Sequence, residues 1–161
     1  MKSLLALYDR VVTTFRYPQS IFLLLIRLYW GWQLEQSGWG KLQHLDKVTN
    51  YFQSINVPMP GATAHMVALL EFGTGILWIL GIFSRPISAI MTVNLIAAYW
   101  FGDHEALLSV FSDPGKFYNA DPFTFLFVAL IVLLFGPGFL SIDALGRRLG
   151  WPKETSGQNV R

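Results

Sequence analysis

The chain has 161 residues, a net charge of +2 and three histidines; 53% of its residues are hydrophobic and only 14% charged, against roughly 25% charged in a typical soluble domain. It contains no cysteine, which excludes disulfides, thiol chemistry, iron–sulfur clusters and thiolate metal sites. The small charge gives no reason to expect nucleic acid as a partner, whereas 16% aromatic residues with six Trp suit a membrane, where Trp and Tyr favour the headgroup level.

Residues 1–19 read as an amphipathic segment. At helical spacing Leu4, Leu5, Tyr8, Val11, Val12 and Phe15 share one face, and Asp9, Arg10, Thr13 and Arg16 the other. No continuous apolar core or small-residue cleavage pattern marks a signal peptide there; an interfacial helix is expected. Four apolar stretches then reach the length of a membrane span, about 17–25 residues: Ser20–Trp39, Ala64–Phe83, Pro86–Gly102 and Pro122–Leu140. Between the first two, Leu45, Val48, Tyr51, Phe52 and Ile55 form an apolar arc opposed by Asp46, Lys47, Asn50 and Gln53, a pattern that fits a helix lying on the bilayer or docked on a partner. Ser84-Arg85-Pro86 is so short that spans two and three must be antiparallel neighbours. Residues 147–161 form a polar tail.

The expected fold class is an all-α membrane protein: a four-transmembrane-helix bundle over residues 20–146, with interfacial amphipathic helices. The positive-inside rule orients it. With both termini cytoplasmic, the inner segments hold Lys2, Arg10, Arg16, Arg85, Arg147, Arg148, Lys153 and Arg161, the outer ones only Lys41, Lys47 and Lys116.

Arg27, Gln33, Glu35, Gln36, Glu71 and Asn94 fall inside the apolar stretches. A charge near the bilayer centre costs at least about 2.5–3.5 kcal/mol, so such groups are expected to face the bundle interior or a wet cavity. At 100° per residue, Arg27, Gly31, Leu34, Gly38 and Lys41 fall on a narrow stripe with Glu35 at its margin, and its glycines permit close approach by another helix or a ligand. A rise of 1.5 Å per residue puts Glu71 about 10 Å, and Glu35 about 6 Å, below the outer surface. Because side chains lean toward their helix N-terminus, Lys41 leans inward and Glu71 outward, making Lys41 the first candidate partner; Arg27 leans away. The alternative is a carboxyl kept neutral by apolar surroundings, able to donate a hydrogen bond to a carbonyl such as a quinone's. His44, His65 and His104 lie at span ends or in a loop on the outer side, where solvation competes with a surface metal site; no metal is assigned.

The blocks "RLYWGWQLEQSGWGKL", "INVPMP", "LLEFGTGILWILGIFSRP" and "GPGFLSID" resemble, in that order and over about residues 22–146, the DoxX family of small four-helix membrane proteins. The residues that carry the resemblance are Arg27, Gly31, Gly38, Lys41 and Leu42; Glu71, Gly75, Gly81 and Arg85; and Gly136-Pro137-Gly138 with Ser141 and Asp143. It implies a multi-pass protein of a prokaryotic inner membrane with a quinone-linked redox role, since the family name comes from a subunit linked to a terminal quinol oxidase and relatives join membrane oxidoreductase assemblies. The chain is then a subunit of a quinone-dependent oxidoreductase system, with the lipid membrane, a protein partner and an oligomeric assembly as its surroundings. Quinone is the expected cofactor, and Arg27, Glu35, Lys41 and Glu71 the expected binding residues, the ring lying between spans one and two in the outer half of the bilayer. Two other readings stand beside this one: a non-catalytic membrane scaffold or partner subunit, and a small proton-path or transport protein with Glu35 and Glu71 as relay acids.

Overall fold

The computed structural model describes residues 2–150, with side chains described at Thr14 and from residue 17 onward. The polar tail expected at 147–161 therefore falls largely outside the described residues, as do the side chains that make the first segment amphipathic. The described chain is all helical: α1 (Lys2–Gln43), α2 (Leu45–Ser54), α3 (Pro60–Leu80), α4 (Ser84–Gly102), α5 (His104–Leu108), α6 (Pro114–Tyr118), α7 (Pro122–Phe135) and α8 (Ile142–Arg148).

The four longest helices pack in a ring, α1 on α3, α3 on α4, α4 on α7 and α7 on α1, with α1 against α3 and α4 against α7 the most intimate pairs. Arg27 lies beside Gly81, Gly31 beside Gly75, and Gly38 beside Phe72, so α1 and α3 run antiparallel. The stripe expected on the first span is the face α1 turns to α3: Arg27, Gly31, Leu34 and Gly38 are all buried. A core of Leu34, Trp78, Met91, Leu95, Val128, Ala129 and Val132 joins the four helices, and the Trp78 indole N–H donates to Ser88 Oγ at 2.9 Å, satisfying the one polar atom a buried indole brings.

Three elements differ from the sequence-based expectation. The first segment is continuous with the first span in a 42-residue helix that runs through Pro18. No glycine or turn residue interrupts the helical pattern there, and a single proline forgoes only one rung of the ladder. The third helix stops at Leu80, because Gly81 at φ +68° ends it in a left-handed cap that closes back on the Leu77 and Trp78 carbonyls. The last apolar helix stops at Phe135, where Gly136 takes φ +76°. Of the described helices, Pro60–Leu80 is long and apolar enough to cross a membrane by length and composition; Pro122–Phe135 is apolar but shorter.

One end of the bundle, where α3 turns into α4 and α8 packs, is tied by polar contacts. The fully buried Arg27 guanidinium donates to the Trp78 carbonyl at 3.1 Å and to the Leu140 carbonyl at 2.5 Å, joining α1, α3 and the segment after α7. Asp143 accepts from the Phe83 and Ser84 amides, both at 2.9 Å, and so caps the start of α4 from a distant part of the chain. Its own amide donates to the Gly81 carbonyl at 2.9 Å. A Cβ on Gly81 would overlap the Arg27 guanidinium. Phe83 sits at φ +46°, a conformation that costs a non-glycine residue about 1–2 kcal/mol and that the Asp143 carboxylate holds in place.

Candidate functional site

The opposite, loop-rich end of the bundle is open. Although joined by a tight turn, α3 and α4 diverge toward that end, and between them lies a cleft of about 950 Å³. Its floor comes from α1 (Leu34, Ser37, Lys41) with Leu95, Pro122 and Phe125 behind; its side walls come from α3 and α4; and Val48, Tyr51 and Phe52 of α2, with Ile55 just after it, close it from the loop-rich end. The amphipathic arc of α2 is partly used inside the chain, where α2 packs on α3; no residue of α2 is buried and Tyr51 stays 53% exposed, so part of the arc remains open.

The polar groups in this apolar cleft are few. Lys41 Nζ donates to both carboxylate oxygens of Glu71 at 2.5 Å, and Ser37 Oγ donates to Glu71 Oε2 at 2.9 Å. The Glu71 side chain is 7% exposed and that of Lys41 31%: the carboxylate is held inside, and the lysine side chain is the more open of the two and lines the cleft. The physical reason for the close encounter is the small-residue stripe. Gly38 lies against the Phe72 backbone and Gly75 against Gly31 and Glu35, which brings the two helix axes near enough for a lysine on one to embrace a carboxylate on the other. Asn94 lines the same cleft from α4, and Lys47, Asp103 and Asp121 stand nearer its loop-rich end.

The four residues expected to bind a cofactor thus divide. Lys41 and Glu71 come together and line the cleft. Arg27 does not join them; it is sealed at the other end of the bundle on main-chain carbonyls. Glu35 is half-buried, accepts from Gln36 Nε2 at 2.9 Å, and presents its backbone to Gly75, outside the cleft lining. Ser37 and Asn94 were not among the expected binding residues. Asn94 carried a signal, as an amide inside an apolar stretch; Ser37, one turn before Lys41, carried none beyond its spacing. Among the described residues no group of three or more His, Asp and Glu converges as metal ligands would. His65 Nδ1 pairs with the Gly61 carbonyl at 2.8 Å, and His104 stands edge-on to Trp100 at 4.7 Å.

Chemically, the site offers a cation, a carboxylate, a hydroxyl and an amide at the end of an apolar slot. That suits a mostly apolar ligand with a few hydrogen-bonding oxygens. At the tied end Arg85 crosses the end of α7, donating to the Leu134 carbonyl at 3.4 Å, while at the loop-rich end Lys116 binds Glu105 at 2.7 Å. That hydrogen bond and charge hold the exposed Glu105 carboxyl below its ordinary value.

Searches of curated proteins and of solved structures return no match. Residues 22–104 match the DoxX family model; the "GPGFLSID" block lies beyond that stretch. The matched span carries Arg27, the glycines of the α1–α3 contact, the Lys41–Glu71 pair and the α4 wall of the cleft, and on that match the chain belongs to DoxX, a family of membrane proteins.

Proposed function

We propose that the chain is a multi-pass subunit of a quinone-linked oxidoreductase system in a prokaryotic inner membrane, and that the cleft beside Lys41 and Glu71 holds the quinone ring. In this reading α1, α3, α4 and α7 cross the bilayer with both termini cytoplasmic. At 1.5 Å per residue α7 alone covers about 21 Å, and the 136–140 segment extends it toward the roughly 30 Å of a hydrocarbon core. The tied end, with Arg85, Arg147 and Arg148, then faces the cytoplasm, and the cleft lies in the outer half of the bilayer.

The observation that carries the proposal is the Lys41–Glu71 pair in a mostly apolar cleft. Lys41 supplies donors for one quinone carbonyl and Asn94, on the facing helix, an amide for the other. Two-electron reduction of a quinone takes up two protons, and the Lys41–Glu71–Ser37 cluster is the exchangeable-proton source next to the ring. The electrons come from a bound cofactor or a partner redox protein, because a chain without cysteine has no thiol couple of its own. Arg27 serves by holding the bundle. A second reading, a non-catalytic partner subunit, draws on the apolar surface of the α5–α6 stretch, where Phe111 is 94% and Leu108 69% exposed.

The test is quinone retention. Protein taken up in its native lipids is expected to carry quinone in near-equimolar amount, and Lys41→Met or Glu71→Gln to reduce that by about tenfold or more, the loss of a charged hydrogen bond being worth about 1.5–3 kcal/mol. Native-lipid preparations of the unaltered chain free of quinone would favour the partner reading.

A further inference from the structure

Ring binding accounts for only part of the cleft. Its volume of about 950 Å³ stands near the top of the range for ligand sites, about 300–1,000 Å³, more than one flat ring requires. Away from Ser37, Lys41, Glu71 and Asn94, and from Lys47, Asp103 and Asp121 nearer the loop-rich end, its walls are mostly apolar. Ile90, Val93, Ala97 and Phe101 line it from α4 at three- and four-residue spacing, which places them on one helix face. Met66 lines it from α3.

Three of these wall residues are themselves open: Met66 is 60% exposed, Ile90 54% and Val93 68%. Residues that both line a cleft and remain exposed mark its mouth. The mouth is thus lateral, a slot between α3 and α4 running about 16 Å along α4 from Ile90 to Phe101. It ends toward the α3–α4 turn, where Asp143 pins the two helices together. Toward the other end α2 stands across it. The slot is continuous with the polar end of the cleft.

We infer that this slot is a lipid-facing portal, and that the ligand is a quinone bearing a long polyisoprenoid tail, bound ring-first with its tail leaving between Met66 of α3 and Val93 of α4. The inference rests on the ring-binding reading above. The physics of the portal is steric. Lipid chains are as apolar as the slot walls, so the tail gains little by moving from lipid to protein; what the slot supplies is a path by which a ring reaches Lys41 without its tail being drawn through the bundle. Specificity follows: closing the slot should exclude tailed quinones and spare tail-free ones.

The experiment compares two probes on the full chain in lipid nanodiscs: coenzyme Q with its polyisoprenoid tail, and the same dimethoxy-methyl-benzoquinone ring without a tail. Val93→Trp narrows the slot at a position with little packing to lose. Ile96→Trp is the control, on the same helix and 50% exposed but outside the cleft lining. Val93→Trp is expected to weaken binding of the tailed quinone by about tenfold or more and to leave the tail-free ring unchanged, with Ile96→Trp altering neither. Unchanged binding of both probes to Val93→Trp would overturn the portal and leave the ring site standing. Failure of the unaltered chain to bind either probe would overturn the ring site and the portal with it.

Discussion

Gly38→Ala is expected to prevent α1 from seating on α3, while Gly40→Ala, two positions later, leaves the protein intact. A Cβ on Gly38 would overlap the backbone of Phe72 and stand 2.9 Å from the Ala68 carbonyl, whereas one on Gly40 meets nothing within 4 Å. The obstructing atoms at Gly38 are main chain, so they move only if the helices separate. Separation would break the contacts along the whole Arg27–Lys41 stripe. Overpacking of a well-fitted core costs about 1–3 kcal/mol, and between membrane helices little hydrophobic drive offsets it, because packing and hydrogen bonds are what hold them together. Gly75 is under the same constraint: its Cβ would stand 2.5 Å from the Glu35 amide and the Gly31 carbonyl. Melting temperature and the monodisperse fraction in detergent are the measurements. Gly38→Ala should lower both sharply, and Gly40→Ala should leave them unchanged or slightly raised, alanine being about 1 kcal/mol better than glycine inside a helix. Equal behaviour of the two variants would mean that the close crossing does not exist in solution.

The second large effect belongs to the ion pair. Removing one partner of a buried pair costs about 3–5 kcal/mol because the other charge is left uncompensated; with Lys41 31% exposed, the lower part of that range applies. Lys41→Met and Glu71→Gln should each lower thermal stability, and the double variant should lose less than the two losses added, with a coupling of about 1–3 kcal/mol. Strict additivity in the cycle would show that the two side chains do not interact. Neither substitution touches the Arg27 cluster at the far end, so the overall helix content by circular dichroism should persist in all three proteins.

How much of this was legible in the sequence varies with the kind of information each feature needed. The α1 face toward α3 was readable because Arg27, Gly31, Leu34, Gly38 and Lys41 repeat at the helical period, and periodicity is local. The Lys41–Glu71 pair was readable because depth along each helix and the direction of the Cα–Cβ bond, both calculable, bring them to one level. The binding roles expected of Arg27 and Glu35 rested on polarity alone. Polarity says that a buried group needs partners; it does not say whether those partners are a ligand or the main-chain carbonyls of Trp78 and Leu140. The same holds for α2: amphipathicity reveals that a face must be covered, and only the tertiary arrangement shows that α3 and the cleft cover part of it. α5 and α6, five residues each, are too short to carry a period. Asn94 gained meaning only once α4 was seen to face Glu71 across a space, and the lateral slot depends on the divergence of two helices whose connecting turn by itself suggests close packing throughout.

The central claim is that the carboxylate inside the bundle and its lysine exist to receive a flat, oxygen-bearing ring. The direct measurement is a density map of the chain reconstituted with its native lipids. Planar density is expected within hydrogen-bonding reach of Lys41 and Asn94, continuing as a chain between Met66 and Val93. A cleft filled only by acyl density with the Lys41–Glu71 pair facing no ligand, or α3 and α4 packed together so that no cleft remains, would contradict it.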